Sequence, residues 1–232
     1  MQKIIIGAGA LIAIGTAPSR ADDSGLGSIS GSLTVTSDYV FRGISQTAND
    51  PAVQAGLTWA AGNGCYAGLW GSNVDFVAGD KADVEVDVSV GYAGEMDGLT
   101  YDLGLIYYAY PGARAGTKYD YWEGALKLGH SFGDVSWSAG FYYTPDNFAG
   151  TDDGVYLTTG LKYAFGDGFA LDANIGRSEI DPAAGADYFD WNVGLTYSFP
   201  GLDANVRLHD TDNAGCAKLC DTRIVVTLAH PF

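Results

Sequence analysis

The sequence predicts an all-β protein that forms a single antiparallel up-and-down transmembrane β-barrel of about 12 strands. Apolar and polar residues alternate over long runs, and glycine-rich turns separate the runs. In the clearest run, Val84, Val88 and Tyr92 share one face while Glu85 and Asp87 lie on the other. A period of two gives a strand one apolar and one polar face. Strands with an apolar lipid face and a polar lumenal face are typical of barrels that cross a membrane.

Twelve segments come near the ~9–11 residues that a tilted membrane strand needs. Their connections alternate between tight, glycine-containing turns and longer polar loops. In outer-membrane barrels the tight turns are periplasmic, so both chain ends are expected in the periplasm and the long loops outside. The predicted strands are 31–42, 52–61, 65–76, 82–93, 99–109, 119–131, 135–144, 154–164, 169–177, 187–198, 202–210 and 222–232.

Residues 1–21 resemble a Sec-type secretory signal peptide. Lys3 precedes an apolar stretch, 4–16, and Ser19-Arg20-Ala21 supplies small residues before a cleavage site. The apolar stretch is shorter than the ~20 residues of a membrane-spanning helix. We therefore expect cleavage after Ala21, export, and a barrel domain over 22–232 in the bacterial outer membrane.

Charge excludes one class of partner. The chain has 12 basic and 28 acidic residues. Loss of 1–21 removes Lys3 and Arg20 and no acid, so 12 − 2 = 10 bases remain against 28 acids, a net charge of −18. Nucleic acid requires a basic surface, so it is not expected to bind. Outer-membrane lipids and small solutes are the expected partners, and an oligomer is compatible with the sequence.

The cysteines predict one disulfide. Cys216 and Cys220 lie four residues apart in a polar stretch, and close pairs in exported proteins usually form disulfides. A zinc site is the alternative, with His209 as the nearest imidazole, but such sites usually offer four ligands. Cys65 is left unpaired, and neither a metal nor a cofactor is expected.

The polar strand faces predict a lumen with more acids than bases. A negative lumen concentrates cations and repels anions. Alternatively, the charges pair with one another and fill the barrel. The pore-lining acids are Asp38, Asp75, Asp83, Glu85, Asp87, Asp102, Glu123, Asp172, Asp190 and Asp203; the bases are Arg42, Lys127, Lys162, Arg207 and Arg223.

Asp38 and Arg42 are placed on the same face of the first predicted strand, four residues apart. Such a pair could set a transverse field at a constriction, or it could be a structural salt bridge. Around eight strands a barrel is filled by side chains, and 16–18 strands leave a channel. Twelve strands therefore leave three cases open: a wide lumen, a narrow one, or one blocked by an inward loop.

Aromatic residues are expected mostly on the outward strand faces, where they anchor a barrel at the lipid headgroups. These include the tryptophans Trp59, Trp70, Trp122, Trp137 and Trp191. The last predicted strand alternates up to Phe232. An aromatic last residue of this kind resembles the signal that the outer-membrane assembly machinery reads.

Several segments resemble the TorF family of putative porins, also called the Gcw_chp family. The resemblance covers essentially the whole mature chain and strengthens the expected location more than any mechanism. It rests on 36–46 (TSDYVFRGISQ), 51–54 (PAVQ), 66–76 (YAGLWGSNVDF), 107–112 (YYAYPG), the dyad Glu85-x-Asp87 and 119–123 (YDYWE).

We therefore expect a passive pore for small polar or cationic solutes, not an enzyme. The first alternative is a non-conducting structural or ligand-binding barrel. The second is a lipid-modifying enzyme, which would need a nucleophilic serine and a histidine near the outer surface. No such motif accompanies His130, His209 or His230.

Overall fold

The computed structural model describes residues 27–76, 82–180 and 187–232. The predicted signal peptide, 1–21, lies outside the described residues. Fourteen strands are present in this part: β1 (Ser28–Thr36), β2 (Val40–Phe41), β3 (Ile44–Ser45), β4 (Ala52–Ala60), β5 (Cys65–Asn73), β6 (Val84–Met96), β7 (Leu99–Ala109), β8 (Tyr121–Phe132), β9 (Val135–Thr144), β10 (Gly154–Phe165), β11 (Phe169–Ile180), β12 (Tyr188–Phe199), β13 (Leu202–Thr211) and β14 (Arg223–Pro231).

Twelve of these strands form a closed antiparallel barrel, as the sequence predicts. Each pairs with its neighbours in chain order, and β1 closes the sheet against β14. At this seam Ser32 pairs with Pro231 and Thr36 with Thr227. The terminal Phe232 extends the seam, since its backbone N–H donates to the Gly31 carbonyl at 3.0 Å. Closure leaves no unpaired strand edge in this sheet.

The two faces of the sheet have the chemistry that the alternation predicts. Outward positions carry large apolar residues that are exposed, such as Leu69, Leu103, Leu161 and Val226. Inward positions carry buried polar and charged residues instead, among them Glu85 and Glu123. The barrel therefore has an apolar exterior and a polar lumen. Within the described residues, no helix combines the length and the apolar character needed to span a membrane.

The two rims differ, as the connections predict. One rim has tight turns, at which Gly64, Gly98 and Gly201 adopt positive φ, a region that glycine enters at little cost. Both described chain ends lie at this tight-turn rim. The opposite rim, the long-loop rim, carries the longer connections, including two 3₁₀ segments at Phe148–Gly150 and Ala214–Cys220.

The prediction for the first strand is wrong. Its barrel strand is β1, Ser28–Thr36, whereas the alternation extends over 31–42. Tyr39 looks like a lipid-facing residue of the same strand because it is apolar. In the structure it is buried inside the barrel instead, so its apolar character does not mark a strand of the wall. The other eleven barrel strands lie within three residues of their predicted bounds.

Candidate functional site

Residues 37–51 leave the barrel wall and fold into the lumen near the long-loop rim; we call this segment the plug. Its centre is the hairpin of β2 and β3. Arg42 and Gly43 form the two-residue turn, with φ of 48° and 80°. Positive φ at both central residues is typical of the tight turn that matches strand twist. Gly43 also lies against β12 and β13, where a Cβ would approach Asp190 and Thr211.

Arg42 holds the tip of the plug against the barrel wall. Its Nη2 donates to both carboxylate oxygens of Glu123, at 2.8 and 2.7 Å. The guanidinium carbon lies 4.3 Å from the ring centre of Tyr156 and 5.2 Å from that of Tyr142. Tyr108 donates to Glu123 Oε1 at 3.1 Å. A charge-assisted pair with aromatic faces around the cation is a strong contact in a desolvated place.

The structure does not pair Asp38 with Arg42. Asp38 Oδ1 accepts hydrogen bonds from the Ser45 and Thr47 hydroxyls, at 2.6 and 2.9 Å, and its Oδ2 accepts from Arg223 Nη1 at 2.7 Å. The prediction of a pair assumed one continuous strand. The hairpin turn instead directs Arg42 toward β8, while Asp38 stays near β14.

A second contact ties the base of the plug to the 210–223 region. Arg223 Nε and Nη2 donate to the carbonyls of Asp221 and Lys218, at 2.9 and 3.1 Å. Its Nη1 donates to Asn49 Oδ1 at 2.5 Å as well as to Asp38. The disulfide of Cys216 and Cys220, with Cα atoms 5.5 Å apart, closes the small loop that presents Lys218. The 3₁₀ segment of this loop packs against β3.

Aromatic residues from three other loops cover one side of the long-loop rim. Phe148 stacks on Tyr119 with ring centres 4.3 Å apart and lies 5.2 Å from Phe76 and 5.4 Å from Tyr110. The sequence does not single out Phe76 or Phe148 as site residues, because Phe76 is only the last residue of the predicted strand 65–76 and Phe148 lies in a predicted loop. Their places at the end of one predicted strand and shortly after another are the only signal of a rim cluster.

Trp70 is an exception among the tryptophans. It faces the lumen and meets the ring of the plug residue Tyr39 edge to face, with centres 5.4 Å apart. The prediction that Trp70 faces lipid is wrong. Neighbouring residues of a strand point to opposite sides, and in β5 it is Leu69 that is exposed on the outer face. Tyr39 also donates through its hydroxyl to Glu85 at 3.1 Å.

The half of the lumen nearer the tight-turn rim contains a third buried ion pair. Arg207 and Asp172 form two parallel hydrogen bonds, at 2.6 and 2.9 Å, and Arg207 also donates to Asn192. Gly194 leaves the space that the guanidinium occupies, because a Cβ there would collide with it. In the register, Lys127 lies opposite Asp102, and Lys162 opposite Asp172.

The structure brings most of the predicted pore-lining residues to the lumenal face. Two predicted residues do not line the lumen: Asp75 follows β5, Asp83 precedes β6, and both are exposed at the long-loop rim. On the lumenal side lie Asp38 and Arg42 on the plug, and Glu85, Asp87, Asp102, Glu123, Lys127, Lys162, Asp172, Asp190, Asp203, Arg207 and Arg223 on the wall.

Acids exceed bases even after the ion pairs are formed. Among the described residues, Arg42, Arg207 and Arg223 each neutralise one carboxylate. Lys127 and Lys162 then remain against a larger set of lumenal acids. Asp87, Asp102 and Asp190 each keep one buried carboxylate oxygen without a hydrogen-bond partner in this part of the chain. The acids outside the three pairs are Glu85, Asp87, Asp102, Asp190 and Asp203.

Over 27–76, 82–180 and 187–232, no group of three or more His, Cys, Asp or Glu side chains is arranged to hold a metal ion. Cys65 is free and exposed at the tight-turn rim.

Comparisons with known proteins extend these observations. The model of a family described as "Bacterial protein of unknown function (Gcw_chp)" matches residues 20–232. No protein of curated function matches the chain. Among solved structures, the chain is similar to the KdgM porin, with 12% identity, a TM-score of 0.61 and coverage of 88% of this chain and 99% of that one.

Two further structures have the same fold. KdgM in a complex with disordered oligogalacturonate has 12% identity and a TM-score of 0.58, and covers 88% of this chain and 98% of that one. The NanC porin has 12% identity and a TM-score of 0.58, with coverage of 88% and 99%. At such identity the likeness shows a shared 12-stranded barrel fold.

Proposed function

This chain belongs to the Gcw_chp family, and from that premise we propose that it is an outer-membrane pore for small polar or cationic solutes. The observation that carries the proposal is the closed 12-stranded barrel with an apolar exterior and a charged lumen. A polar lumen inside an apolar wall gives solutes a path that lipid does not. The fold shared with the KdgM and NanC porins supports this function.

The proposed preference for cations rests on the acid excess of the lumen. Glu85 and Asp87 share the lumenal face of β6, and Asp190 lies on β12, six strands away around the barrel. Such a surface raises the local concentration of cations and lowers that of anions. The KdgM structure that holds oligogalacturonate contains an acidic sugar; for this chain we propose solutes of the opposite charge.

In the described conformation the plug narrows the path. The tip of the plug reaches from β1 to Glu123 on β8, across the lumen. Conduction through the centre therefore requires the plug to move or solutes to pass beside it. If the plug never moves, the protein would be a ligand-binding barrel without flux, which is the second candidate function.

Export and assembly complete the proposal. Residues 1–21 would direct the chain out of the cytoplasm and be removed. The last strand, ending in Phe232, would be the segment that the assembly machinery recognises. Both ends would then lie on the periplasmic side, with the plug and the disulfide loop near the external mouth.

Flux into liposomes tests the proposal. Glucosamine, glucose and glucuronate are of similar size but are cationic, neutral and anionic, respectively. We expect entry in that order through the refolded mature protein, and faster entry when residues 39–49 are replaced by a short glycine-serine turn. Failure of all three sugars to enter through the shortened, correctly folded barrel would reject the pore, and fastest entry of glucuronate would reject the cation preference.

A further inference from the structure

Four wall residues from four different strands converge around the tip of the plug: Glu123 on β8, Tyr142 on β9, Tyr156 on β10 and Asp190 on β12. We call this group the cation cage. Glu123 is 1% exposed and Asp190 is 5% exposed. The two tyrosine rings have their centres 5.8 Å apart and are tilted by 49°, and Tyr156 donates to Asp190 Oδ1 at 3.3 Å. Two carboxylates and two aromatic rings thus surround one small volume.

The occupant of the cage is a side chain that is not part of the wall. The guanidinium of Arg42 enters from the plug, bonds to Glu123 and lies over both tyrosine rings. These are the contacts that proteins use to hold a free guanidinium or ammonium ligand. Arg42 belongs to the plug and not to the wall strands that form the cage, so it occupies the cage in the way that a tethered ligand would.

The cage has acceptor capacity that Arg42 does not use. Asp190 Oδ2 is buried and has no hydrogen-bond partner among the described residues. Arg42 forms its ion pair with Glu123, and none of the ion pairs in this part of the chain joins Arg42 to Asp190. An unpaired buried carboxylate oxygen is costly. A cation with more donors, or with freer placement than a tethered side chain, would satisfy it.

We propose that the cation cage is a recognition site for solutes that carry a guanidinium group, and that Arg42 occupies it when no solute is bound. The inference rests on the proposed pore function and specifies its substrate class. A solute that binds the cage must displace Arg42, which releases the tip of the plug. Binding and opening would then be linked through one competition.

The test is equilibrium binding of L-arginine to the refolded mature protein in detergent, measured by calorimetry. L-citrulline is the matched probe, because a neutral ureido group replaces the guanidinium. Arg42→Ala should bind arginine about tenfold more tightly than the wild type, since the competitor is gone. Arg42→Lys still offers a competing cation and should stay close to the wild type. Adding Glu123→Gln to Arg42→Ala should abolish the gain.

Barrel formation in each variant is checked by heat-modifiable gel mobility, so that a folding defect is not mistaken for loss of binding. Equal binding of arginine and citrulline would overturn the proposal, as would equal arginine affinity in the Ala and Lys variants. Because binding is measured without flux, the two claims fail separately. Arginine binding without sugar flux would reject the pore and support the site. Sugar flux without arginine binding would reject the site and support the pore.

Discussion

At the residue scale, glycines and buried ion pairs together determine how the lumen is filled. Gly194 gives space to the Arg207 guanidinium, and Gly176 does the same for the Tyr156 ring. Alternation predicts that these glycines face inward, but it does not show which large side chain lies over each of them. That pairing depends on the register between strands, which a single sequence does not contain.

The Arg207–Asp172 pair supplies a residue-scale prediction. Arg207→Ala leaves Asp172 charged, buried and without its partner, and removal of one member of a buried pair costs about 3–5 kcal/mol. We expect a decrease of that size in the free energy of unfolding, measured by urea titration in lipid. The double variant Arg207→Met/Asp172→Leu removes both charges and should recover most of the loss. A single variant as stable as the wild type would contradict the assigned pair.

At the scale of elements, the plug differs most from what the sequence indicates. Eleven barrel strands follow from alternation, because each has one face toward lipid and one toward the lumen. The plug breaks this rule: Tyr39 and Val40 are both buried, since the lumen surrounds the hairpin. Local alternation continues through 37–42 and therefore extends the first predicted strand too far. In the sequence, the dipeptide Arg42-Gly43 is the local signal of the turn. Its role becomes clear only from the positive φ of both residues in the structure.

The disulfide loop supplies an element-scale prediction. The carbonyl of Lys218 in this loop and that of Asp221 just after it orient Arg223 toward Asp38 on the plug. Cys216→Ser/Cys220→Ser should loosen this contact. Loss of one such hydrogen bond costs about 1 kcal/mol, so the open fraction of the pore in a planar bilayer should rise about fivefold. Cys65→Ser is the matched control and should leave gating unchanged; an unchanged open fraction in the double variant would argue against the loop as a clamp.

At the scale of the whole molecule, the proposed cation preference rests on how the lumenal acids and bases are distributed. The acids left outside the three ion pairs lie on several strands, so the excess of acids over bases is spread around the lumen and is not confined to one strand. The alternation in the sequence predicts this excess of acids. It does not predict which carboxylates are neutralised, because Arg42 and Arg223 find partners far away in the sequence.

Selectivity gives the corresponding prediction. Glu85→Gln/Asp87→Asn removes two adjacent lumenal acids and should shift the reversal potential in a KCl gradient toward that of a non-selective pore. Asp83→Asn removes a charge from the exposed residue just before the same strand, where solvent and salt screen it, and should have a smaller effect. Equal shifts in the two variants would mean that the lumenal position of the charges is irrelevant.

The most direct test of the account is single-channel conductance in a planar bilayer. The wild-type mature protein is compared with the variant in which a glycine-serine turn replaces residues 39–49. We predict that the wild type is closed most of the time and that the variant shows discrete, larger, cation-selective steps. A silent variant with an intact barrel would contradict the pore, and equal conductance in the two proteins would contradict closure by the plug.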